Sequence, residues 1–222
     1  MICNELIIVL HSILITTTVW LAFHYGKSAL IALISLLIVL ANVLILKEIA
    51  VVGLCITATD ALSIGAGIGL SLLQYRWGRE VALQGIIISF GCAVAAGCLT
   101  QLHIWYLPTL QDTAHAPYAA IFSMVPQIIA ASLLSYVCCQ LIELRILALL
   151  RTHATALPFE LQGWIAVCVS ATVDTVLFSL LALYGIVSNI MHIIVVSLIV
   201  KLITAAIGYC LIAMLRKLSP AS

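Results

Sequence analysis

Gly163 to Tyr184 reads GWIAVCVSATVDTVLFSLLALY, with one charged residue, Asp174, in an otherwise apolar run. A bilayer-spanning helix needs about 20 mainly apolar residues, and this stretch supplies them. A charge at a helix centre costs about 2.5–3.5 kcal/mol by insertion scales, so such a residue faces a bundle interior or a polar path. The rest of the chain has the same character. Of its 222 residues 65% are hydrophobic and 8% charged, and the mean hydropathy is +1.30. A soluble domain carries roughly 25% charged residues. The predicted fold class is therefore all-α, a polytopic integral membrane bundle forming a single transmembrane domain over residues 1–222.

Seven stretches qualify as spans: 5–24, 28–47, 51–74, 81–106, 118–144, 163–184 and 189–215, with six as the alternative count. Run length, not periodicity, decides for helix here. The third stretch is unusually rich in glycine and serine. Basic residues set the orientation. Lys27, Arg76, Arg79, Arg145, Arg151, Arg216 and Lys217 fall on alternate connections, whereas 107–117 and 185–188 hold no lysine or arginine. Only Lys47 disagrees. The amino terminus is expected outside and the carboxyl terminus in the cytoplasm, in a cell inner membrane. The formal net charge of +1 gives no argument for nucleic acid.

Cys55, Cys92, Cys98, Cys138, Cys139, Cys168 and Cys210 lie in apolar runs and read as packing residues. No metal-ligand spacing or cofactor motif is apparent. His11 and His192 fall inside spans and are weaker candidates for a proton path.

Three charges lie near mid-membrane: Asp60, Asp174 and Lys201. Lys201 can neutralise Asp174, but two carboxylates face one ammonium and one negative charge remains. Other polar residues share helical faces with them. Asp60, Ser63, Gly67, Ser71 and Gln74 form one stripe. Ser132, Tyr136, Gln140 and Glu143 form a second. Ser170, Asp174 and Phe178 form a third, and Ser197, Lys201, Thr204 and Gly208 a fourth. Small hydroxylated residues also serve plain helix packing. Four such stripes together predict a central polar cavity that binds a small molecule. Gly65, Gly67 and Gly69 indicate close packing or a broken helix beside it, and any irregular turn near Thr57-Ala-Thr-Asp60 would be lined by protein.

Taken as an ordered set, several segments resemble the queuosine precursor transporter family over roughly residues 40–217. They are Asn42 and Lys47 in ANVLILK, TATDALSIGAGIGLSLLQYRWGRE (57–80), WYLPTLQDTAHAPYAAIFS (105–123), ASLLSYVCCQLIE (131–143), SATVDTVLFSLLALYG (170–185), and Ser197 with Lys201. The chain departs from the family pattern at Gln74-Tyr75-Arg76, Gln127, Glu143 and Ala171. The resemblance implies an inner-membrane importer of 7-deazaguanine bases, similar in fold to the substrate-binding subunits of energy-coupling-factor importers. It also adds Asn42 to the binding set. The expected substrate-binding residues are thus Asn42, Asp60, Gln74, Tyr136, Gln140, Glu143, Asp174, Phe178 and Lys201. A carboxylate can accept the guanine-like N–H edge in a bidentate way, and the ring can stack on Tyr136, Phe178 or Phe122.

The expected partners are a small-molecule base and the lipid bilayer, and a homodimer is left open. A secondary carrier is favoured. A rival is a subunit docking on an ATP-driven module, but the first helix offers only Ser12 and Thr16 at small-xxx-small spacing. No Walker-type sequence occurs. The rival of another class is an intramembrane enzyme, with Asp60 and Asp174 as paired acids, although neither is followed by the glycine such proteases carry.

Overall fold

The computed structural model describes residues 4–45, 47–51, 54–123, 126–183 and 190–218. The connection 185–188 lies outside them, as do the side chains of Gln127 and His192. Eight helices follow in order: α1 (Asn4–Tyr25), α2 (Lys27–Val43), α3 (Asp60–Trp77), α4 (Arg79–Ile104), α5 (His115–Ser123), α6 (Pro126–His153), α7 (Phe159–Phe178) and α8 (Ile190–Leu218). Between α2 and α3 lies a hairpin of β1 (Glu48–Val51) and β2 (Leu54–Thr57), with Glu48 opposite Thr57 and Val51 opposite Leu54. A single π-helical turn, Ser179–Leu183, continues α7.

Among the described residues five helices are long and apolar enough to cross a membrane: α1, α4, and the segments Ala130–His153, Phe159–Leu181 and Ile194–Lys217. Their outward faces carry Leu14, Ile87, Leu134 and Met214, each more than half exposed. A water-soluble surface does not leave so much large apolar area uncovered. The chain is a multi-pass membrane protein.

The third expected span needs correction. The stretch 51–74 is not one helix, because its β-branched beginning pairs with Glu48–Val51 as a hairpin and α3 starts only at Asp60. The hairpin is anchored at both sides. Asn4 Nδ2 donates to the Ala50 carbonyl at 2.7 Å, and β2 packs against α8. The second span ends at Val43 rather than 47, and the fifth falls on α5 and α6, between which residues 124–125 lie outside the described ones. Asp112 Oδ1 accepts the Ala114 and His115 amides and so caps the start of α5.

With 18 residues, α3 is about 27 Å long by the 1.5 Å helical rise. It packs against α1, α2, α4, α6, α7 and α8, and every residue from Asp60 to Gln74 is buried except Ser63. Its glycines make this possible. A β-carbon on Gly65 would collide with Ile15 of α1, one on Gly69 would lie 2.9 Å from Ile34 Cγ1 of α2, and one on Gly67 would lie 2.9 Å from Glu143 Oε2 of α6. At 100° per residue Gly67 points away from the other two, so α3 nests between two layers of neighbours. The helix is continuous; the break in this segment lies before it.

Gly26 and Gly78 are the one-residue links from α1 to α2 and from α3 to α4, at φ 120° and 87°. Reversing direction on a single residue requires backbone angles that only glycine adopts without strain. Both links lie at the end of the bundle that holds Arg76, Arg151 and Arg216. There Arg76 stacks between Phe23 and Trp77, at 5.1 and 5.0 Å from their ring centres. The hairpin marks the other end.

Candidate functional site

A cavity of about 130 Å³ opens between α2, α3, α6, α7 and α8, beneath the turn that joins β2 to α3. One water needs roughly 10–15 Å³ on such a measure, so the space suits one small molecule rather than a drug-sized ligand. Its walls come from the four predicted stripes and from Asn42.

The charged centre lies where α3, α7 and α8 meet. Lys201 Nζ donates to Asp174 Oδ2 at 2.8 Å and to Thr175 Oγ1 at 3.0 Å, and lies 3.8 Å from Asp60 Oδ1. Ser197 Oγ, one helical turn before Lys201, donates to both oxygens of Asp60 at 3.1 and 3.3 Å. Lys201 therefore bridges both acids instead of serving Asp174 alone. Asp60 and Lys201 are nearly sealed, with side-chain exposures of 7% and 8%, whereas Asp174 is 27% exposed. Asp174 is the more accessible acid.

Glu143 occupies the opposite wall, 1% exposed. Ser71 Oγ donates to its Oε1 at 2.7 Å and Ser170 Oγ to its Oε2 at 3.2 Å. Among the described residues no cation lies within ion-pair distance of it. Tyr136 also lines the cavity, and its hydroxyl is 2.6 Å from Ser89 Oγ on α4, which holds the ring in place. Gln140 lines it with a buried Oε1 that has no hydrogen-bond partner among the described groups. Asn42 accepts from Ser132 Oγ at 2.7 Å and donates through Nδ2 to the Ile38 carbonyl. Phe178 completes this set from α7, just before the π turn.

Eight of the nine expected residues thus line one cavity, and Gln74 does not. It lies deeper toward the arginine-bearing end, donating to the Leu144 carbonyl at 3.1 Å while Arg151 caps its own carbonyl at 3.3 Å. Phe122 is also elsewhere, stacked on Tyr118 with ring centres 5.8 Å apart. The sequence reading missed Thr57, Thr59, Thr175 and Ser179, all of which line the cavity. Thr59 precedes Asp60 in a turn that helical periodicity cannot describe. Thr175 was discoverable, since the residue after Asp174 lies only about 100° around the helix.

A family model described as "Putative vitamin uptake transporter" matches residues 68–215, two thirds of the chain. The chain belongs to this family of vitamin uptake transporters. The matched stretch contains Glu143, Asp174 and Lys201 and leaves Asn42 and Asp60 upstream. A relative from Bacillus subtilis (strain 168), named "Probable queuosine precursor transporter", is 22% identical over 166 residues, covering 73% of this chain and 71% of its own length. No solved structure matches. For a family of vitamin uptake transporters, a small cavity with charged walls among membrane helices is the expected kind of site.

Proposed function

We propose that this protein imports a queuosine precursor, a 7-deazaguanine base, across the inner membrane as a secondary carrier. The observation that carries the reading is the charge balance of the cavity: three carboxylates, Asp60, Asp174 and Glu143, line it together with one ammonium, Lys201, which pairs with the first two. Such a site favours cargo that brings N–H donors or a positive charge. A 7-deazaguanine offers donors along its guanine-like edge, and its aminomethyl form adds a cation. Tyr136 and Phe178 provide aromatic surface for a planar ring. The printed name of the Bacillus relative points to the same substrate class.

The docking-subunit rival loses support from α1. Ser12 and Thr16 are 1% and 2% exposed, and a β-carbon on Gly208 of α8 would lie 3.2 Å from Thr16 Oγ1. The small-residue face of α1 is already used inside the bundle.

Uptake in cells unable to make queuosine precursors tests the function. Labelled 7-cyano-7-deazaguanine, 7-aminomethyl-7-deazaguanine and queuine are offered in turn, and at least one is expected to accumulate unchanged. Failure of all three sinks the substrate assignment, and a chemically altered label points to an enzyme.

We further propose seven crossings, with α2 and α3 completing the five longer helices, the hairpin end outside and the arginine-bearing end in the cytoplasm. Arg76, Arg151 and Arg216 lie together at that end, as the positive-inside rule requires of a cytoplasmic face. In a background without native thiols, Thr113→Cys is expected to react with an impermeant maleimide on intact cells. Reaction only after permeabilisation reverses the orientation.

A further inference from the structure

The Asp60–Lys201–Asp174 group can neutralise much of its own charge, but Glu143 cannot. Its carboxylate is buried in a membrane bundle and has two serine hydroxyls for partners and no cation. Desolvating a lone carboxylate is costly, and two neutral hydrogen bonds do not repay it. Binding a proton removes that cost.

The surroundings suit this. Ser71 on α3 and Ser170 on α7 can each donate to the charged form or turn to accept from the protonated one. The titratable groups within electrostatic reach of Glu143 are Tyr136 and Cys139 on its own helix and Tyr209 on α8. Asp60, Asp174 and Lys201 line the same cavity from α3, α7 and α8 and satisfy one another. On the arginine-bearing side, one further buried polar atom, Gln74 Oε1, has no hydrogen-bond partner among the described groups. Gln74 is held beside Leu144, the residue after Glu143. Unpaired polar atoms are rare in a packed interior and mark a place where one can be used transiently. Here Ser71 and Gln74 extend the polar region from the cavity floor toward that end of the bundle, while Gly67 and Glu143 line the cavity on the other side.

We propose that Glu143 is the proton-coupling group of this transporter, taking a proton on the hairpin side and releasing it on the arginine-bearing side with each cargo molecule. The proposal rests on the reading of the cavity as a transport site for a 7-deazaguanine base. It assigns the driving force to the proton gradient.

Purified protein in liposomes loaded with a pH-sensitive dye tests it, with labelled 7-aminomethyl-7-deazaguanine as the probe. For the wild type, an outside-acid gradient is expected to raise uptake several-fold, and added base should acidify the lumen. Glu143→Gln keeps the shape of the side chain and loses its titration. It should lose both the gradient response and the acidification. Ser71→Ala is a second variant that leaves the carboxylate in place. Losing a donor to the charged form should move the midpoint of the uptake–pH profile upward. A gradient response that survives Glu143→Gln overturns the proposal. So does an unmoved profile in Ser71→Ala. Wild-type protein that exchanges the base without acidification overturns proton coupling alone, whereas wild-type protein that neither binds nor exchanges it removes the substrate reading and this proposal with it.

Discussion

Asparagine in place of Asp60 is expected to reduce uptake of labelled 7-aminomethyl-7-deazaguanine by ~30-fold or more, with folded protein still in the membrane. Truncating one partner of a buried charged hydrogen bond costs about 2–5 kcal/mol, and each 1.4 kcal/mol is tenfold. Asparagine keeps an oxygen for Ser197, which now donates to both carboxylate oxygens, so the turn into α3 should persist. Asp174→Asn should show a similar loss, because Asp174 is the acid that the cavity exposes most. Uptake per folded molecule is the quantity to compare. If both variants transport normally, the two acids do not contact the cargo.

The second large effect belongs to Lys201. Methionine at this position removes the only ammonium between Asp60 and Asp174, and stranding a buried charge costs about 3–5 kcal/mol. Lys201→Met alone is therefore expected to lower the thermal stability of the detergent-solubilised protein markedly. Adding Asp174→Asn restores the balance at that pair and should recover most of the stability. Asp60 retains its bonds to Ser197 in either case. The double variant should nonetheless stay inactive, because Lys201 also bonds Thr175 and bridges to Asp60, which a simple two-residue neutralisation does not need. Uptake recovering together with stability would reduce Lys201 to a structural counter-charge.

The stripes were legible because helical spacing fixes which residues share a face. Asp60, Tyr136, Gln140, Glu143, Asp174, Phe178 and Lys201 were grouped by spacing alone and line one space. Spacing gives direction around a helix but not depth along it, and Gln74 shows the difference. It continues the Asp60 stripe, yet 14 residues of helix carry it about 21 Å farther on, past the cavity floor at Gly67 and Glu143. The hairpin was invisible for another reason. An apolar β-branched run has no period that separates a buried strand from a helix, and here it merged with the start of α3 into one span-length stretch. The expectation of a protein-lined turn at Thr57–Asp60 did anticipate where the helix fails, and Thr59 is 6% exposed there. The Lys201 bridge to both acids needed three helices in register, which no single stripe contains.

The enclosure of α3 also constrains how the protein is made. A segment carrying Asp60, Gln74, Arg76 and three glycines is not among the helices apolar enough to partition into lipid individually. During synthesis it emerges after α1 and α2, before four of the helices against which it packs. On the proposed seven-crossing topology, its residence in the bilayer is secured by Ile15, Ile34 and the later helices that enclose it, rather than by its own affinity for hydrocarbon. Insertion and tertiary assembly become one event for this segment. A change on α1, α6 or α8 that loosens its surroundings would expel the helix bearing Asp60, and the defect would register as failed biogenesis before it could register as failed transport.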